Sequence, residues 1–190
     1  MAKYLAFNKP YGVLCTFTDS AHRPTLGDFI QTKGIYAAGR LDMDSEGLLL
    51  LTDDGLMINR LTDPRFEHPK TYLVQVEGQI TPQAIEKLEA GVVIKNGKTM
   101  PCKAEIILPP KVPPRSKPIT PHAPACWIKM VLSEGKNRQI RHMTAAVGFP
   151  TLRLIRIAIG PILLKDLPVG ESRDLTGGEI MQLMKIKGAR

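Results

Sequence analysis

A chain of 190 residues, 43% hydrophobic and 23% charged, is long enough for one compact domain or two small lobes sharing a cleft, and too apolar for a disordered segment. Its 26 basic residues outnumber 18 acidic ones, which favours anionic partners, nucleic acid foremost. No apolar run approaches the roughly 18 residues that span a bilayer. The three widely spaced cysteines, Cys15, Cys102 and Cys126, suit neither a disulfide framework nor a zinc knuckle, so a cytoplasmic protein without membrane contact is expected.

The opening KYLAFNKPYGVLCTF reads as two short extended runs about the turn Asn8–Gly12 and predicts a strand pair. PTLGDFI predicts a short helix or turn. Leu48–Leu51, bounded by Gly47 and Asp53-Asp54-Gly55, has the length of a buried strand. Asp54 should cap a helix over LMINRLT, which Pro64 stops. KTYLVQVEG alternates, with Tyr72, Val74 and Val76 on one face and Thr71, Leu73 and Gln75 on the other.

Thr81-Pro82 followed by Ile85, Leu88 and Gly91 supplies a cap, a first-turn proline, an apolar stripe and a C-terminal glycine. Asn96-Gly97 between β-rich runs predicts a hairpin, with more sheet after it. Pro109–Pro124 holds seven prolines beside Lys111, Arg115 and Lys117 and predicts an extended loop, mobile until a partner binds.

WIKMVL is a strand, and SEGKN turns into a helix with Ile140, Met143, Thr144 and Val147 on one face. RLIRIAIG is a further strand, and Thr176 should cap a last helix buried through Ile180 and Met184. Strands and helices do not alternate regularly, so the class is α+β, with a mixed, largely antiparallel sheet flanked by helices.

Charge is polarised along the chain. From Lys129 to Arg156 six basic residues face one acid, Glu134, whereas from Gly39 to Glu67 seven acids face three basic residues. An arginine-rich stretch suits phosphate, because guanidinium presents forked donors to anionic oxygens.

Within the acidic stretch, GRLDMDSEGLLLLTDDG admits three readings. Its aspartates can simply cap and solvate a loop. Asp42, Asp44, Glu46, Gly47 and Asp53 also fall at positions 1, 3, 5, 6 and 12 of a calcium-loop pattern, although a Glu belongs at position 12 and the flanks look extended rather than helical. The third reading is a catalytic carboxylate.

That segment resembles the signature of the RsuA-like branch of pseudouridine synthases: Gly-Arg-Leu-Asp, then Ser or Thr, Gly, and an apolar run ending in Thr-Asn/Asp-Asp/Asn-Gly. The likeness continues through NKPYGVLCTF, KTYLVQVEG, EGKNRQIRHM and VGFPTLRLIRIAIG, and so covers nearly the whole chain. It implies the pseudouridine synthase catalytic fold with a central RNA-binding cleft, as a single domain over residues 1–190. Within the branch the chain is most similar to members acting on large-subunit (23S) ribosomal RNA. Many relatives begin with a small S4 RNA-binding domain; here the catalytic-type sequence starts within ten residues of Met1, so no S4 domain is expected. Target choice then falls to the basic stretch and the proline-rich loop.

Roles follow from the resemblance position by position. Asp42 is implied as the nucleophile, and Arg40 as a contact to RNA around the extruded uridine. Tyr72 stacks on the target base and is a candidate for proton transfer, Arg141 pairs with the catalytic carboxylate, and Leu154 packs against the uracil. Lys136, Arg138 and Arg156 join the RNA contacts. His142 stands where many relatives have a second Arg, which removes one such contact.

The chemistry suits this cast. Uridine must lose its N1 glycosidic bond and gain one at C5, with no redox change and no imported group, and a carboxylate can attack either C1′ of the ribose or C6 of the base. Such a carboxylate must be ionised in a dry site, and a neighbouring Arg favours the charged form. An aromatic platform can hold a base that has left its stack. No cofactor or metal is expected: His22, His68, His122, His142 and the cysteines have no ligand spacing, and no Walker or dinucleotide glycine motif occurs. A monomeric enzyme is expected. The alternative from another class is a non-catalytic RNA-binding or ribosome-assembly factor on the same fold, against which an intact Asp42, Tyr72 and Arg141 argue.

Overall fold

The structure is a computed structural model that describes residues 2–185. In chain order it runs β1 (Tyr4–Lys9), a 3-10 turn at Leu26–Asp28, β2 (Tyr36–Ala37), β3 (Glu46–Thr52), α1 (Gly55–Thr62), a 3-10 turn at Pro64–Phe66, β4 (Lys70–Glu77) and α2 (Pro82–Ala90). There follow β5 (Val93–Ile94), β6 (Gly97–Lys98), β7 (Lys103–Ile107), β8 (Ala125–Leu132), α3 (Gln139–Ala146), β9 (Thr151–Ile159), β10 (Ile162–Leu163), β11 (Ser172–Asp174) and α4 (Gly177–Lys185). The fold is α+β with largely antiparallel strands, and it comprises two compact units. One takes the chain up to His68 and again from Arg156, the other Pro69–Ile155.

In the first unit β1 lies antiparallel to β3, from Tyr4 opposite Thr52 to Lys9 opposite Gly47, and also pairs with β11. Every residue of β3 is buried, because its leucines serve two cores by the alternation of a strand. Leu48 and Leu50 join Ala6, Met57 and Leu61, while Leu49 and Leu51 join Phe7, Leu26 and Ile35. Each such side chain contributes roughly 1.5–3 kcal/mol of burial. The Asp54 carboxylate caps α1, accepting from the N–H groups of Leu56 at 2.9 Å and Met57 at 3.1 Å, and the helix ends before Pro64 as expected.

Two sequence expectations fail in this unit. The strand pair across Asn8–Gly12 does not form, and beyond the turn only an isolated bridge joins Leu14 to Thr25. The backbone groups a hairpin would use are engaged elsewhere: Val13 O accepts from the Lys9 ammonium, Gly12 N–H donates to Met43 O, and Leu14 N–H to Pro24 O. In α4, Thr176 and Glu179 form the expected cap, but Leu183 is the fully buried residue and Met184 stays half-exposed. The inner stripe is the i, i+3 pair Ile180 and Leu183.

In the second unit β4 pairs with β8, Tyr72 opposite Met130 and Val74 opposite Ile128, and β8 with β7. The core joins Val74, Val76, Ile128 and Met130 to Ala84, Ile85 and Leu88 of α2 and Ile140 and Met143 of α3. Thr81 caps α2, accepting from Ala84 N–H at 3.3 Å. Gly91 ends it at φ 83°, where a Cβ would lie 2.4 Å from Thr99 O, so no other residue fits. The hairpin forms with Lys95 and Asn96 at its tip and Gly97 supplying the left-handed residue.

The proline-rich segment has no regular element; Arg153 Nη2 donates to Pro113 O at 2.9 Å, and Arg115, within the segment, donates to Lys117 O at 2.6 Å and Leu152 O at 3.5 Å. Helix α3 begins one residue later than the turn SEGKN implies. Arg138 is its N-cap at φ 49°, outside the helix that carries Arg141.

Candidate active site

Asp42 sits half-buried on the loop between β2 and β3, and its carbonyl accepts from Ser45 N–H at 3.0 Å. Both of its neighbours are held by the N-terminal turn. Gly12 N–H donates to Met43 O at 2.8 Å. The Cys15 thiol donates to Leu41 O at 3.2 Å and accepts from Leu41 N–H at 3.3 Å.

The turn is itself organised by Lys9, a side chain that charge counting treats as surface. It is 0% exposed, and its ammonium donates to Pro10 O at 2.9 Å and Val13 O at 2.7 Å. Burial pushes its pKa down to about 8, against the opposing pull of Cys15, Glu46, Asp44 and Asp42. A buried cation therefore lies within the electrostatic reach of the acidic loop.

The far side of the loop is braced by Arg156, which is 3% exposed. Its Nε donates to Leu48 O at 2.7 Å and its Nη1 reaches Arg40 O at 3.5 Å, so one guanidinium spans the loop from before Asp42 to after it. Arg156, expected among the RNA contacts, is thus engaged with the main chain of the loop. Its Nη2 and the Ser45 hydroxyl are buried without a hydrogen-bond partner among the described residues. Orphan buried polar atoms are costly and uncommon, and here both belong to the loop or its brace. Arg40 itself is exposed.

The calcium-loop geometry is not formed. Glu46 and Gly47 belong to β3, where Gly47 pairs with Lys9, and the preceding element is the strand β2 rather than a helix.

In the second unit Tyr72 is half-buried at the edge of the core that Val74 and Val76 fill, on the face its alternation predicts. Leu154 is a member of the same core at 6% exposure. Arg141, on α3, is half-buried and donates from Nη1 to Thr151 O at 3.3 Å. Next to this bond the hydroxyls of Thr144 and Thr151 lie 2.8 Å apart, which ties α3 to the start of β9.

Lys136, expected on RNA, is drawn back: its ammonium donates to Lys98 O and lies 3.4 Å from Glu134, which also accepts from Gln139 and from Met100 N–H. Arg138 is the exposed cation of this turn. Asp42, Arg40 and Arg156 thus belong to the first unit, and Tyr72, Lys136, Arg138, Arg141 and Leu154 to the second. Sequence reasoning missed Lys9 and Cys15. The only signal was their place in NKPYGVLC, and neither charge nor periodicity indicates that they bind backbone.

Residues 3–146 match the family model described as RNA pseudouridylate synthase. Ribosomal large subunit pseudouridine synthase E of Vibrio vulnificus is 49% identical over 176 residues, covering 92% of this chain and 75% of the relative. Ribosomal large subunit pseudouridine synthase B of Bacillus subtilis is 36% identical over 182 residues, covering 95% and 70%. A crystal structure of a pseudouridylate synthase superposes with a TM-score of 0.82 at 32% identity, covering 96% of this chain and 74% of that one. The chain belongs to the RNA pseudouridylate synthase family.

Proposed function

We propose that the protein converts a specific uridine of large-subunit ribosomal RNA to pseudouridine, with Asp42 as nucleophile. The observation that carries the assignment of Asp42 is its setting: a half-buried carboxylate whose two neighbours are each pinned by backbone hydrogen bonds, within reach of the field of a buried lysine. A nucleophile gains most from such fixation, because misplacement by about 1 Å can cost 100-fold in rate.

The target uridine leaves its stack, and Tyr72 offers the ring on which the base can rest. Asp42 forms a covalent bond to the nucleoside and the N1–C1′ bond breaks; the uracil then returns through C5 as the bond to Asp42 breaks and frees the carboxylate, the C5 hydrogen leaves as a proton and N1 takes one up. Arg141 is the cation we assign to the carboxylate, while Arg40 and Arg138, both exposed, meet RNA phosphates. The relatives named for the large ribosomal subunit support the choice of RNA. The enzyme works as a cytoplasmic monomer without cofactor or metal; no helix of the described residues is long and apolar enough to cross a membrane.

The test is release of tritium from [5-³H]uridine-labelled RNA, since bond formation at C5 must displace that hydrogen. Large-subunit ribosomal RNA transcripts should release label and small-subunit transcripts should not. Binding without release would replace the enzyme with an RNA-binding or assembly factor, and release from the small-subunit transcript would reassign the substrate.

A further inference from the structure

The hydrogen bonds at Leu41 differ in kind from the others around the Asp42 loop. Gly12 and Arg156 each hold carbonyls only, whereas the Cys15 sulfur takes both polar groups of residue 41, the amide and the carbonyl, at 3.3 and 3.2 Å. A residue whose N–H and C=O are both bonded to one atom 26 positions away has its φ and ψ fixed together. Residue 41 is the last before Asp42, so those angles set the direction in which the Asp42 carboxylate leaves the main chain.

The turn that brings the thiol there is anchored independently of it. Lys9 holds Pro10 O and Val13 O, and Gly12, at φ 83°, places its N–H on Met43 O. The thiol is half-buried and borders the core of Phe7, Leu26 and Leu49. A thiol is both a weak donor and a weak acceptor, and its bonds are longer than those of a hydroxyl. Its length suits one atom bridging both polar groups of a single residue.

We infer that Cys15 is a positioning residue for the isomerisation, aiming the Asp42 carboxylate through the main chain of Leu41. Its role depends on Asp42 being the nucleophile. Two explanations make opposite rankings of conservative variants. If Cys15 matters only as a small apolar group, Cys15→Val should match the parent and Cys15→Ser should be worse. If it matters through its two hydrogen bonds, Cys15→Ser retains a donor and an acceptor and should outperform Cys15→Val and Cys15→Ala.

The experiment measures single-turnover tritium release at saturating enzyme, RNA affinity by filter binding, and thermal midpoint for the full-length parent, Cys15→Ser, Cys15→Ala and Cys15→Val. Expected is a loss of the order of 10- to 100-fold in rate for Ala and Val, with RNA affinity within about twofold, and a Ser variant that recovers a substantial part of the rate. A Val variant turning over like the parent, or Ser no better than Ala, would overturn the assignment. Should Val fail to fold, the Ser–Ala comparison decides alone. Hydrogen exchange supplies a readout that packing would not move: the Leu41 amide should exchange faster in Cys15→Ala than in Cys15→Ser, and equal rates in the two count against the role. Asp42→Asn separates the two readings. If it still releases tritium, the nucleophile is elsewhere; if it is inactive while Cys15→Val is fully active, only the role of Cys15 falls.

Discussion

The acidic stretch Gly39–Glu67 and the basic stretch Lys129–Arg156 differ in sign, and they also put their charged side chains to different uses. In the acidic stretch three carboxylates hold local structure. Asp54 caps α1, Asp63 pairs with Arg65 at 2.6 Å, and Asp53 accepts from Lys3 N–H at 2.7 Å. Asp42 sits on a loop braced at its flanks by Gly12, Cys15 and Arg156. In the basic stretch, Arg153 and Arg156 are buried against carbonyls, Lys129 pairs with Glu105 at 2.9 Å, and Lys136 is tied to Lys98 and Glu134. Arg138 is exposed and Arg141 half-exposed. Net charge along a sequence is therefore a poor map of the charge available to RNA: a guanidinium with five donors is as useful for satisfying buried carbonyls as for meeting phosphate.

The sharpest way to break this comparison is at Asp42. Asp42→Asn keeps the shape but removes the nucleophile, so tritium release should fall roughly 10⁴-fold or more while thermal midpoint and RNA affinity stay near the parent values. Substantial residual release would return Asp42 to the structural carboxylates around it.

The next effect separates two arginines of equal charge. If Arg141 is the partner of the carboxylate, Arg141→Lys should slow single turnover roughly 10- to 100-fold, because a point charge cannot reproduce a two-pronged contact. Arg138→Lys should leave the rate almost unchanged. Arg138 lies outside α3 at a left-handed N-cap, so the pair differs in geometry as well as in role. Equal losses would show that the segment acts only as a charged surface.

A smaller effect tests whether Arg156 is structural. Arg156→Lys cannot span Leu48 O and Arg40 O together, and should cost about 1–3 kcal/mol in denaturant unfolding without changing the salt dependence of RNA binding. Arg138→Ala should do the reverse, lowering the slope of log affinity against log salt by about one and leaving stability alone. A changed slope for Arg156→Lys would restore it as a phosphate contact.

The smallest effect is at the carboxylate that caps α4. Arg173, whose guanidinium pairs with it at 2.7 Å, and the Thr176 N–H hold Glu179 down to about 2. A depressed carboxyl stabilises the fold above its ordinary value and loses that contribution as pH falls toward its folded one. The thermal midpoint of Glu179→Gln should thus sit below the parent near pH 7, by about 1 kcal/mol or less, with the gap closing from about pH 4.5 toward pH 2. A gap independent of pH would assign the loss to packing.

Local signals were legible where a few neighbouring residues settle the matter. The caps Asp54, Thr81 and Thr176, the alternation of Tyr72, Val74 and Val76, and the four leucines of β3 all appear as read, because the sequence by itself determines helix starts and strand faces through side-chain bonds and periodicity within a few residues. The motif GRLD was likewise visible, and with it the family. Only the tertiary structure decided that β1 joins β3 and β11 instead of its neighbour in sequence, that Lys9 and Arg156 turn inward, and that a cysteine 26 positions away grips Leu41. Each of these is a long-range match between a side chain and a particular main-chain group. Composition and period do not carry that information, because any lysine, arginine or cysteine has the donors, and the fold alone fixes which carbonyl lies within 3 Å or so of them.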